Sequence, residues 1–264
     1  MIKAGVIGAG HLGSIHLKLL KESNFFELIG FFDTNTKISN INDEFLFFDN
    51  IDKLINSIDA AFICTNTPNH YKIAKKCIEN SKHVFIEKPI TNDVDQAIDL
   101  VTLSNKKKIK GQVGHVERFN SAFTCLNDTI NNPKFIECHR LAEFNPRGND
   151  VSVVLDLMIH DIDIVLSLVK SKPNLVNANG VSVINEAPDI CNARVEFENG
   201  CVANFTASDA ISGQSTVKLD NGSAAATTSM FKLVRGANDP ENKDYTAINS
   251  NVIVNIARAS NLYN

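Results

Sequence analysis

Two stretches combine residue types and spacings that could do chemistry. Gly8-Ala9-Gly10-His11-Leu12-Gly13 is a GxGxxG run between a short apolar segment and a helical one. At such a junction a dinucleotide pyrophosphate needs bare backbone. Gly8 permits a tight turn, Gly10 removes a side chain that would block phosphates, and Gly13 lets helix and strand pack closely, with the positive helix end facing the anion. Asp33 ends the next apolar run, where a carboxylate accepts hydrogen bonds from the adenosine ribose and repels a 2′-phosphate, favouring NAD over NADP. The second stretch is Val151 to Val169, where Ser152, Asp156, His160, Asp163 and Ser167 recur at spacings of four, four, three and four. These form one narrow polar stripe on an apolar helix. Such a stripe fits a buried helix lining a cavity, and equally a histidine and aspartate satisfied within a core.

Glu87-Lys88-Pro89 follows a strand-like run. If that run belongs to a parallel sheet, the lysine stands at the carboxyl edge, where open α/β sheets bind ligands. Proline fixes the local backbone and is the residue that admits a cis bond. An exposed turn lysine is the other reading.

The elements that must position these groups follow a rhythm. Apolar runs at Lys3 to Ile7, Glu27 to Phe32, Phe45 to Phe48, Ala60 to Cys64, Val84 to Ile86 and Ile109 to Val113 alternate with helical stretches. The helical stretches are Leu12 to Glu22, Ile51 to Asn56, Tyr71 to Glu79 and Asp93 to Asn105, the last with Asp93 and Gln96 at capping positions. This predicts an α/β, doubly wound parallel sheet over residues 1–119. Residues 120–264 change pattern: a helix around Ser121 to Ile130, a strand at Phe135 to Phe144, the long helix after Val151, then strands at Val176 to Val183, Ala193 to Phe197 and Val202 to Ala207. Asn199-Gly200 is a hairpin signal between the last two. An α+β domain with an open, mainly antiparallel sheet is expected. Beyond Ile211 the chain is rich in small polar residues, with edge strands at Ser215 to Leu219 and Val252 to Ile256 as one reading and loose chain as the other.

Composition excludes several classes. With 26 basic and 30 acidic residues among 264, net charge −4, nothing recruits nucleic acid or an anionic membrane. Lys106 to Lys110 is a solvated helix end. The six cysteines lack zinc or disulfide spacing, so reduced thiols in the cytoplasm, with no metal, are expected. The charged residues within Val151 to Val169 argue against a membrane span.

The glycine fingerprint, Thr65 to His70, Glu87-Lys88-Pro89 and the DxxxH element Asp156 to His160 together resemble the glucose–fructose oxidoreductase and inositol dehydrogenase family (Gfo/Idh/MocA), over about residues 1–210. The resemblance implies a Rossmann domain joined to a substrate and oligomerisation domain, the two together forming the active site, and a dimer or tetramer. It implies NAD held by Gly8, Gly10, His11, Leu12, Gly13, Asp33, Thr65, Asn66, Thr67, His70, Glu87 and Lys88, with Thr67 and His70 near the nicotinamide. His160 would act as general base, Lys88 would steady the reacting oxygen, and Asp156 would contact substrate or orient the base. Gly114 to Asn120, Phe144-Asn145-Pro146-Arg147-Gly148 and Leu157 to Asp161 look like the UDP-N-acetylglucosamine 3-dehydrogenase branch, whose 3-keto products supply amino sugars for lipid A type glycolipids. On that likeness Arg118, Asn145 and Arg147 join Lys88, Asp156 and His160 as substrate residues. Free-sugar, inositol or biliverdin chemistry, or a silent NAD-binding regulator, are the competing readings. After about Ala210 the chain departs from the family pattern, which implies a sheet short of its late strands.

Overall fold

The computed structural model describes residues 1–35, 44–124, 132–142, 151–184 and 187–209, with backbone alone for 215–220 and 230–233. The chain divides into two compact units, Met1–Gly114 and His115–Asn264.

The first unit is a five-stranded parallel sheet of β1 (Ile2–Ile7), β2 (Phe26–Phe32), β3 (Ala60–Ile63), β4 (His83–Ile86) and β5 (Gly111–Val113), in the order β2-β1-β3-β4-β5. The described helices are α1 (His11–Glu22), α2 (Ile51–Ser57), α3 (His70–Glu79) and α4 (Val94–Lys107). Their starts and faces are set locally. Asn50 caps α2 through the Asp52 and Lys53 amides, Asp93 caps α4 through the Gln96 amide at 3.0 Å, and α1 buries Gly13, Leu17 and Leu20 at helical spacing. Two apolar layers result, one around Leu17 and Phe31, the other around Ile7, Leu54, Ile63 and Ile78. Complete burial of each such side chain is worth about 1.5–3 kcal/mol.

The run Phe45 to Phe48 corrects the expected strand count. Only Phe47 bridges Phe31, while Phe31 donates to the Leu46 carbonyl and Phe48 to the Phe31 carbonyl. Phe45 is buried and Phe47 packs edge-on against Phe31 at 5.5 Å, so burial of aromatic rings, not a ladder, explains this segment. Glu87-Lys88-Pro89 therefore follows the fourth strand of the sheet, and Thr65 the third.

The second unit holds a six-stranded sheet in the order β11-β10-β6-β9-β8-β7, from β6 (Phe135–Leu141), β7 (Pro173–Val181), β8 (Ile190–Phe197), β9 (Val202–Ser208), β10 (Ser215–Asp220) and β11 (Met230–Leu233). Every pairing is antiparallel except β6 with β9. Asn199-Gly200 makes the expected turn, Gly200 adopting a φ of +80° and Asn199 Oδ1 accepting the Cys201 amide. Against the sheet packs α6 (Ile159–Val169), with Met158, Val165, Ile136 and Phe205 at the centre of the core. A short α5 (Ser121–Thr124) precedes β6. β10 bears out the strand read at Ser215 to Leu219, pairing with β6 on one side and β11 on the other, so the sheet does not stop at Ala210; Val252 to Ile256 lies outside the described residues.

Among the described residues no helix is long and apolar enough to cross a membrane. Cys64, Cys77, Cys138, Cys191 and Cys201 are free thiols.

Candidate active site

Gly8, Asp33, Thr65 and Glu87 follow β1, β2, β3 and β4, so the first unit's candidate residues gather at the carboxyl ends of parallel strands. The backbone separates the roles of the three glycines. Gly8 has a φ of +91°, and a Cβ there would lie 2.8 Å from the backbone of Cys64 and Thr65. A Cβ on Gly13 would lie 1.9 Å from the Gly8 carbonyl oxygen, whereas one on Gly10 would meet nothing within 4 Å. Two glycines are thus held by packing, and the third stands at an open approach to the start of α1. Asp33 fastens this turn: its Oδ2 accepts the Ala9 amide at 2.6 Å and its Oδ1 the Asn35 amide at 2.7 Å. A carboxylate has about four acceptor sites, leaving capacity for ribose hydroxyls. Thr65 Oγ1 is buried without a hydrogen-bond partner among the described residues. The open Gly10, the anchored Asp33 and this hydroxyl fit a bound dinucleotide. His11, Leu12 and Asn66 are exposed around the turn, and Thr67 is buried in the short helical turn Thr67–Asn69.

Two residues expected at the cofactor also hold loops. His70, 1% exposed, sets Nδ1 2.8 Å from the Pro89 carbonyl and Nε2 2.9 Å from the Thr65 carbonyl. Glu87 is buried too; its Oε1 accepts His16 Nε2 at 2.7 Å and its Oε2 faces the Lys88 amide at 3.3 Å. Lys88, half-buried and joined to Pro89 by a cis bond, therefore lies between two braced neighbours. His16, Cys64 and Glu87 bring ligand-type atoms within 4.8 Å of one another, but His16 and Glu87 already bond each other. Burial and the Glu87 charge push the Cys64 thiol up, which keeps it neutral.

In the second unit the polar stripe divides. Val154–Met158 forms a π-type turn leading into α6, placing Asp156 in the turn and His160 two residues after its end, both half-buried. Sequence periodicity shows a continuous helix and does not reveal the turn; such irregularities recur at functional sites. Asp163 belongs elsewhere: 1% exposed, it takes a two-pronged ion pair from Arg118 Nε and Nη2. That pair pushes the Arg118 guanidinium up despite partial burial. The arginine expected at substrate phosphates thus already holds a carboxylate of the same unit through Nε and Nη2. One residue after His160, Asp161 is buried against Arg140, whose Nη2 lies 2.6 Å from Asp161 Oδ1 and whose Nη1 lies 3.5 Å from Glu117. Burial opposes the Arg140 charge, but Asp161 and Glu117 more than offset this and push its pKa up. Sequence reading missed this network, since nothing local links positions 117, 140 and 161. It missed Asp209 as well, which follows β9 and whose carboxyl is pushed up by burial, then by Asp189 and Asp156. Asn145 and Arg147 lie outside the described residues.

Residues 2–115 match the family model described as "Oxidoreductase family, NAD-binding Rossmann fold", and residues 106–224 match the GFO/IDH/MocA C-terminal domain, beyond the expected limit near 210. The UDP-N-acetylglucosamine 3-dehydrogenase of Acidithiobacillus ferrooxidans is 35% identical over 211 residues, 78% of this chain and 67% of the relative. Its solved structure gives a TM-score of 0.76 at 32% identity, covering 83% of this chain and 73% of that one. An inositol 2-dehydrogenase of Rhizobium meliloti is 24% identical over 70% of this chain and 60% of its own length. The chain thus spans about two thirds or less of these curated relatives. On the matched models, the identity and the shared fold, the chain belongs to the GFO/IDH/MocA oxidoreductase family.

Proposed function

We propose that this protein oxidises a sugar hydroxyl with NAD, with C3 of UDP-N-acetylglucosamine as the leading substrate position and the 3-keto nucleotide sugar as product. The observation that carries the chemistry is the sorting of polar groups on the second unit's helix. Asp161 and Asp163 are held by arginines, while Asp156 and His160 stay half-buried at a π turn. His160 takes the hydroxyl proton as general base. Lys88 donates to the reacting oxygen and stabilises its developing negative charge. Asp156 orients the base or a neighbouring hydroxyl. NAD, when bound, supplies the acceptor for the hydride leaving the same carbon. Gly8, Gly10, Gly13 and Asp33 would hold it, and the Asp33 carboxylate disfavours a 2′-phosphate.

The nucleotide-sugar preference is supported by the 35% identical relative of that name. A free polyol is the second reading, favoured by the Arg118–Asp163 pair, which takes one diphosphate-binding candidate out of service, and by the inositol dehydrogenases among the relatives. The reading includes self-association, supported by β7, whose nine residues are all exposed and carry Leu175, Val176 and Val181, and a cytoplasmic setting that keeps the thiols reduced.

The test incubates the protein with NAD and, separately, UDP-N-acetylglucosamine, UDP-glucose, N-acetylglucosamine, glucose and myo-inositol, with a carbonyl trap, following NADH absorbance. NADH formed with UDP-N-acetylglucosamine alone is the expected result. Turnover of a free polyol moves the substrate, and no turnover with any of the five contradicts the assignment. Tighter NADPH than NADH binding contradicts the role of Asp33.

A further inference from the structure

Resting on the reading of Lys88 as the group at the reacting oxygen, we infer that His16 is a positioning residue for Lys88, acting through Glu87. Lys88 carries its ammonium on a long flexible stem, so its aim depends on how firmly its backbone is held. The Glu87 carboxylate links that backbone to α1: Oε2 faces the Lys88 amide at 3.3 Å, and Oε1 accepts His16 Nε2 at 2.7 Å. The carboxylate fills space that Gly114 leaves open, where a Cβ would meet Oε2 at 2.8 Å. The His16 ring is itself held against Phe85 at 5.1 Å and Phe62 at 5.8 Å, on β4 and β3. On the far side of Lys88, His70 holds the Pro89 carbonyl.

α1 begins at the glycine turn and places His16 three residues after Gly13. The cofactor turn and the lysine therefore share one rigid linkage, running from the start of α1 through His16 and Glu87 to the Lys88 amide. A histidine serving only to fill space would be replaceable by an apolar side chain of similar size. A positioning histidine requires the N–H, which glutamine can supply and leucine cannot.

The test compares the full-length wild type with His16→Leu, His16→Gln and Lys88→Met. Three readouts are followed: NADH affinity from nucleotide fluorescence, kcat and KM with the best substrate of the panel, and the acetylation rate of Lys88 relative to Lys106 by peptide mass spectrometry. His16→Leu is expected to lower kcat about 10²-fold, the cost of misplacing a catalytic group by about 1 Å. NADH affinity should stay within about threefold, the Lys88 acetylation rate should change severalfold against a constant Lys106, and His16→Gln should restore most of both losses. Wild-type Lys88 labelling in His16→Leu overturns the inference, as does equal damage from leucine and glutamine. If Lys88→Met turns over normally, or no substrate is consumed by the wild type, the catalytic reading of Lys88 fails instead. The labelling comparison still decides whether His16 positions it.

Discussion

In the first unit the proposed cofactor site rests on backbone at the ends of parallel strands, with glycines and one carboxylate, Asp33, and Lys88 is the one side chain proposed for the chemistry itself. In the second the proposed chemistry falls on side chains of a single helix, two of whose acids pair with arginines 21 and 45 residues away. Backbone binding demands glycine at fixed spacing, so it leaves a mark in the chain. Side-chain sorting depends on which acid meets an arginine in three dimensions and leaves none. Asp161 and Asp163 both follow the candidate base on the same helix, yet burial against Arg140 and Arg118 separates them from the half-buried Asp156.

Breaking a buried pair should have the largest effect on stability. Arg140→Leu strands Asp161 in the core, so a loss of about 3–5 kcal/mol is expected, seen as a fall in Tm of roughly 10 °C. The double variant Arg140→Leu, Asp161→Leu should recover much of it, since removing both charges removes the uncompensated one. Failure of the double variant to recover would mean that packing, not charge, holds this position. Next comes Gly13→Ala, whose Cβ meets a backbone oxygen that cannot yield cheaply. NADH affinity should drop at least tenfold, with the circular dichroism spectrum retained. Gly8→Ala forces an L residue to a φ of +91°, costing about 1–2 kcal/mol before its contact with the Cys64 and Thr65 backbone is counted. Gly10→Ala, with nothing within 4 Å, should leave Tm unchanged and weaken NADH alone. If Gly10→Ala destabilised the fold as Gly8→Ala does, the division between structural and ligand-facing glycines would be wrong.

The smallest effect concerns Asp209. Its folded pKa is raised by burial, Asp189 and Asp156, so its charged form is disfavoured in the folded state. The cost is absent below the unfolded value of about 3.9 and appears as pH rises through the folded one. Asp209→Asn should therefore raise Tm slightly at pH 7 and not at pH 3.5. An equal effect at both values would assign the change to packing.

The sequence reading and the structure agree most where the signal is local. The fingerprint, the strand-end position of Asp33 and Lys88, the Asp93 cap and the Asn199-Gly200 turn are visible because each is enforced within a few residues. The aromatic run at Phe45 to Phe48 shows the limit of such reading, since burial and strand pairing both select phenylalanine. His16 had a signal, a polar residue beside the buried face of α1, yet its meaning came from Glu87, 71 residues away. Arg118 looked like a phosphate ligand because guanidinium suits carboxylate and phosphate alike. Only the fold shows that it meets Asp163.

The central claim is that His160 serves catalysis while its neighbours on the helix serve the fold, and the direct measurement is turnover and Tm of His160→Gln beside Asp163→Asn. The account predicts that His160→Gln loses ~10²- to 10⁴-fold in kcat with NADH affinity and Tm kept, and that Asp163→Asn loses Tm first. Near-normal turnover in His160→Gln, or a Tm loss matching that of Asp163→Asn, would contradict it.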